Sequence, residues 1–149
     1  MILILKGISK KDTISHLIKS GIAQYSFDLR PRSLNFTQAK NIEMIIDHYS
    51  DLYKFSLLFE NEKEFMIQEI FKPFKHRANV FLEFTGTTPL DELDSYGFAF
   101  YWHYHDKEKI NNIKNLKNLK RIVFRQKDLE DLNSSCLLYT SDAADDSLR

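Results

Sequence analysis

A lysine closes the first apolar run of the chain, Ile2-Leu3-Ile4-Leu5-Lys6. Two-residue alternation along a strand puts Lys6 on the same face as Ile4 and Ile2. A cation at the end of a strand binds an anionic ligand, forms a Schiff base with a carbonyl, or pairs with a neighbouring acid such as Asp28 on the next run. Arg30 and Arg32 flank Pro31 in a basic loop. They suit a clamp for phosphate or carboxylate, or a solvated loop. His103 and His105 stand two apart, so their side chains share one face of a strand, with Asp106 adjacent. Such a pair ligates zinc or iron when a third ligand joins it. The sequence supplies no clear third ligand, and the neighbours Tyr101, Trp102 and Tyr104 suit packing, so no metal site is predicted.

The elements that must position these groups alternate strictly between strand and helix. Ile2–Leu5 reads as a short buried strand, and Ser9 with Asp12 fits a capping box opening a helix through Lys19. Ile14, Leu17 and Ile18 lie on one face of that helix, and Gly21 suits the residue just past its end. A second strand covers Gln24–Leu29. Thr37 is expected to cap a second helix, whose Ile42, Ile45, Ile46 and Tyr49 share a side. Tyr53–Phe59 is the third strand; Asn61 and Glu64 then cap a helix with Phe65, Met66 and Ile70 inward. Val80–Phe84 is the fourth strand, followed by a short helix near Leu90–Ser95. Phe98–Tyr104 is the fifth. Asp106 opens a Lys/Asn-rich helix carrying Ile110 and Ile113. Arg121–Phe124 is the sixth strand, and Asp128–Asn133 begins a sixth helix. Repeating units of about 20–25 residues predict a parallel α/β sheet with right-handed crossovers. A doubly wound sheet and a (β/α)8 barrel both fit this pattern.

The whole chain has 149 residues, 43% hydrophobic and 28% charged, which is a globular composition. Its 21 basic and 21 acidic side chains balance, which argues against a nucleic-acid partner. The Lys/Asn run 107–120 has no aromatics for base stacking and reads as a solvated helix face. No apolar run is long enough for a transmembrane helix, no basic segment precedes Ile2 to make a signal peptide, and a cytoplasmic location is expected. From Cys136 the composition changes: residues 136–149 contain no Lys, Asn, Ile or Phe. The string Cys136-Leu137-Leu138-Tyr139-Thr140-Ser141-Asp142-Ala143-Ala144-Asp145 resembles a translated sequencing adapter. The expected domain is therefore residues 1–135, with 136–149 a non-native tail. The tail carries three Asp, one Arg and the single Cys, so the remainder has 20 basic and 18 acidic residues and no thiol.

Four segments, in order, resemble phosphoribosylanthranilate isomerase. Ile4-Leu5-Lys6-Gly7-Ile8-Ser9 is similar to that family's first strand and loop, Lys-Ile-Cys-Gly-Ile-Thr. Ser26-Phe27-Asp28-Leu29-Arg30-Pro31-Arg32-Ser33-Leu34-Asn35-Phe36 resembles its second, Gly-Phe-Val-Phe-Tyr-Pro-Lys-Ser-Pro-Arg-Tyr. Phe55-Ser56-Leu57-Leu58-Phe59-Glu60 is similar to Val-Gly-Val-Phe-Val-Asn, and Glu83-Phe84-Thr85-Gly86 to Gln-Leu-His-Gly. The resemblance implies an incomplete (β/α)8 barrel with about six βα units, its site at the carboxyl ends of the strands. It also implies an Amadori-type isomerisation in tryptophan biosynthesis, by general acid and general base, with no cofactor.

The departures from the family pattern fall on its chemistry. Lys6 stands where the family has its catalytic Cys, and a lysine, whose ordinary pKa is about 10.4, is no base while protonated. The family acid after strand six is missing or displaced; Asp128 is the nearest candidate. The Arg expected to hold the substrate carboxylate falls at Asn35, and the family His at Thr85. These departures point to a barrel of this type without the canonical isomerase activity, with Asp28, Arg30, Arg32 and Asn35 as candidate binding residues for a small anionic or sugar-phosphate ligand. The alternatives are an active isomerase with relocated catalytic groups, and a different anion-binding function on the same scaffold. Six strands do not close an eight-stranded barrel, so self-association through open edges is expected.

Overall fold

The computed structural model describes residues 4–49, 51–104, 113 and 115–124. Among the described residues there are six strands: β1 (Ile4–Lys6), β2 (Gln24–Asp28), β3 (Lys54–Phe59), β4 (Val80–Phe84), β5 (Phe100–His103) and β6 (Leu119–Val123). Between them run α1 (Lys11–Lys19), α2 (Ala39–Ile46), α3 (Glu64–Phe71) with a short 3₁₀ turn at Lys72–Phe74, and α4 (Leu90–Ser95). Every strand pair is parallel, and the strands lie side by side in chain order, β1 to β6. The register sets Lys6 beside Ser26, and Ser26 beside Ser56.

The sheet is curled. Lys6 Nζ on β1 lies 2.9 Å from His103 Nε2 on β5, and Arg121 on β6 donates to Gln24 Oε1 on β2 at 2.7 Å. In a flat sheet four strand spacings would separate β1 from β5 by about 19 Å. Sequential parallel strands, alternating helices and this curl make an incomplete β/α barrel.

Alternation divides each strand between two environments. One face carries Tyr25, Phe27, Phe55, Leu57, Phe59, Leu82, Phe84, Phe100, Trp102 and Tyr104, all buried in one apolar cluster. Helix residues Ile14, Ile42, Ile45, Ile46, Ile67, Phe71, Leu90 and Leu93 complete that cluster, so the main core lies between sheet and helices. The concave face carries Lys6, Gln24, Ser26, Ser56, Glu83, Tyr101, His103 and Arg121, with Ile4, Leu58 and Phe81 among them. Barrel interiors are usually filled by branched aliphatic side chains; this one includes a buried polar cluster of Ser26, Ser56 and Glu83.

Strand positions follow the sequence reading to within a residue or two, and β4 and α4 match it. The helix starts also fall within a residue or two of those expected, but the caps do not. Neither α1, α2 nor α3 has a side-chain cap; their N-cap residues are Lys10, Gln38 and Lys63. Thr37 donates instead to the carbonyls of Ile8 and Asn35, which ties the loop after β2 to the loop after β1. Asn61 accepts from the Thr87 amide at 2.8 Å, joining the loops after β3 and β4. That junction is tight: a Cβ on Gly86 would lie 1.8 Å from the Glu60 carbonyl oxygen. The inward face of α3 agrees with the expected one at Ile70, which packs against the core, but not at Phe65 and Met66. Ile67 and Phe71 are buried, whereas Phe65 is 64% and Met66 40% exposed. The helices expected from Asp106 and from Asp128 fall outside the described residues, apart from a turn near Ile113.

Candidate active site at the carboxyl ends of the strands

Glu83 on β4 has no exposed surface. It sits in a strand whose other residues are apolar, Val80-Phe81-Leu82-Glu83-Phe84, and its place in the alternation aims it into the concave face. A buried carboxylate requires hydrogen bonds and an opposite charge. Ser26 Oγ and Ser56 Oγ donate to Oε2 at 2.7 and 2.5 Å. The Lys6 ammonium forms an ion pair with Oε1. His103 Nε2 lies 2.6 Å from the same oxygen. Five successive strands, β1 to β5, thus each contribute one side chain to a single cluster.

Burial by itself raises the Glu83 pKa. The hydrogen bond from His103, the Lys6 charge and hydrogen bond, and the Ser56 hydroxyl outweigh it and hold the carboxyl far below the usual carboxylate range. Glu83 is therefore an anion at neutral pH. Lys6, the last residue of β1, keeps 38% of its side chain exposed, and His103, the last residue of β5, keeps 17%. The cluster has a sealed anionic base and an accessible nitrogen pair above it. The floor beneath is also organised around Tyr101: the Arg121 guanidinium lies over its ring at 4.9 Å, and the Phe81 ring stacks on it at 4.8 Å. Burial pushes the Tyr101 hydroxyl up to about 12, against the opposing pull of Arg121.

Lys6 does not pair with Asp28, one of the arrangements the sequence allowed. Asp28 ends β2, two residues beyond the position level with Lys6. It binds its own loop: Arg30 Nε and Nη2 reach its two oxygens at 2.9 and 2.6 Å, and Ser33 Oγ donates at 2.6 Å. Burial raises the Asp28 pKa, but the hydrogen bonds from Arg30 and Ser33 and the Arg30 charge bring it below its ordinary value. Arg30 is accordingly committed to a loop clamp. Arg32 and Asn35 are exposed in the same loop. Asn35 packs against Gly7, whose φ of +73° and closeness to the Asn35 side chain leave no room for a Cβ. Asp128, His105 and Asp106 lie outside the described residues. Among the described residues no three His, Cys, Asp or Glu are placed to hold a metal, and no helix is long and apolar enough to cross a membrane.

Sequence reasoning singled out Lys6 and His103 separately and missed Glu83 as their partner. The available signal was an acid at an inward position of an otherwise apolar strand. Such a group requires a buried counter-charge, and Lys6 is an inward cation.

No protein-family model and no curated protein sequence matches the chain. Solved structures do. Phosphoribosyl anthranilate isomerase from Thermotoga maritima aligns with a TM-score of 0.67 at 12% identity, over 85% of this chain and 63% of that one. The enzyme from Thermus thermophilus aligns at 0.68 and 10% identity, over 83% and 62%. A phosphoribosyl anthranilate isomerase in complex with reduced 1-(o-carboxyphenylamino)-1-deoxyribulose 5-phosphate aligns at 0.67 and 12%, over 85% and 66%. The chain spans just under two thirds of the length of each. At this identity the likeness is one of architecture: the chain has the β/α-barrel fold of phosphoribosylanthranilate isomerase, with six of its strands described.

Proposed function

We propose that this barrel binds a small anionic, sugar-phosphate-like compound at the carboxyl ends of its strands and does not carry out the thiol-assisted isomerisation that the resemblance implies. The observation that carries this reading is the state of Lys6. At the position of the family Cys stands an ammonium paired with a sealed carboxylate, and residues 1–135 contain no thiol to replace it. A protonated amine donates hydrogen bonds and binds anions; it is not a base of thiolate type. Arg32, exposed in the loop after β2, adds positive charge at the same end of the sheet.

The test is genetic. The complete gene, expressed in a tryptophan auxotroph lacking this isomerase, is expected not to restore growth. Robust growth overturns the reading and favours an isomerase with relocated catalytic groups. A thermal-shift screen with sugar phosphates is expected to raise the melting temperature; no shift with any of them removes the binding half of the proposal.

A further inference from the structure

We infer that Lys6 is a covalent, imine-forming residue, with His103 as the base that frees its amine. The inference rests on the reading of the mouth as a site for small anionic compounds and specifies their reactive group, a ketone or aldehyde.

One ring nitrogen has two polar neighbours. His103 Nε2 lies 2.9 Å from Lys6 Nζ and 2.6 Å from Glu83 Oε1. An ammonium only donates and a carboxylate only accepts. Nε2 accepts from Lys6 when it carries no proton, and donates to Glu83 when it does. The two arrangements differ by one proton and need no movement of the ring. A proton leaving Nζ therefore arrives on a nitrogen already placed against a carboxylate that stabilises the resulting imidazolium.

Glu83 also suits the product. The ammonium and the protonated imine both carry one positive charge, so the ion pair with the buried anion survives the reaction. In the step itself, Lys6 passes a proton to His103 Nε2, and the freed lone pair attacks the carbonyl carbon. The C–N bond forms as the C–O π pair moves to oxygen. The nitrogen gives up a second proton to that oxygen, and His103 returns the first as the C–O bond breaks. Ammonium and carbonyl compound become protonated imine and one water, with no redox change. The exposed part of the Lys6 side chain leaves the nitrogen accessible, and the hydroxyls of Ser26 and Ser56 hold Glu83 from below.

The test uses the full chain with dihydroxyacetone phosphate and cyanoborohydride near pH 7, followed by peptide mass mapping. The reduced adduct is expected on Lys6 faster than on exposed lysines such as Lys11 or Lys40, and it saturates with the ketone. His103→Gln is expected to slow trapping about 100-fold, the scale of general-base assistance. Lys6→Arg keeps a cation beside Glu83 and should lose the fast adduct entirely. The inference is overturned if Lys6 is labelled no faster than the surface lysines, or if His103→Gln leaves the rate unchanged with its circular dichroism intact. Ligand-detected NMR with the same compound separates the two levels. Binding without an adduct removes the imine and leaves the anionic-ligand reading; absence of binding removes both.

Discussion

Replacing Glu83 by glutamine keeps the side chain's volume and removes its charge. Lys6 and His103 would then face a neutral amide in a site sealed on one side. Breaking a buried pair from one partner costs roughly 3–5 kcal/mol; part of Lys6 is solvated, so about 2–3 kcal/mol is expected here, read by urea denaturation at pH 7. The pH dependence has a definite sign. The folded-state pKa of Glu83 is depressed, so its contribution is complete above the unfolded value of about 4.3 and is lost as pH falls below it. The difference between wild type and Glu83→Gln should therefore shrink from pH 6 toward pH 3. A constant difference across that range would show that the carboxylate is not the source of the effect. The pairing of Glu83 with Lys6 was hidden in sequence for a geometric reason. Lys6 and Glu83 are 77 positions apart, and only the curl of the sheet brings β1 over β4.

Element positions were more legible than helix caps. Apolar runs bounded by Gly, Pro, Asn or Asp mark strands directly, and hydrogen bonding between strands leaves few alternatives for where they begin. Caps are local bonds that tertiary partners can outbid. Thr37 and Asn61 have the chemistry of N-caps, yet both bind neighbouring loops. Helix α3 buries Ile67 and Phe71, with Ile70 packed beside them, in place of Phe65 and Met66. Ile67→Ala is expected to destabilise by about 2–5 kcal/mol, as for large-to-small changes in a core. Phe65→Ala should stay within about 0.5 kcal/mol, as for an open surface site. Thermal or denaturant melts of the two variants compare them directly, and a larger loss at Phe65 would restore the helix face read from sequence.

The described sheet ends at β1 on one side and β6 on the other, and the fold it matches is a closed barrel. Edges of this kind offer unpaired backbone groups to other strands. The 149-residue chain is expected to associate with rising concentration, seen as a shift in sedimentation coefficient. A single monomeric species at every concentration tested would contradict that. The fold class was readable because strand-helix alternation at near-constant spacing is a property of the whole chain. The choice of a barrel over an open sheet rested on resemblance, since periodicity does not encode curl.

The two faces of the sheet also give the protein a built-in optical assay. Trp102, its one tryptophan, is the immediate neighbour of His103 but points the opposite way, into the aromatic layer beneath the helices. Its indole meets Tyr104 edge-on at 5.9 Å and has no exposed surface. Emission from that indole follows the loosening of helices from the sheet and is screened from events at the mouth by the strand itself. A compound reacting with Lys6 should leave the spectrum almost unmoved, while denaturation shifts it to the red. One fluorophore thereby reports on the scaffold alone, and occupancy of the concave face has to be read by another signal.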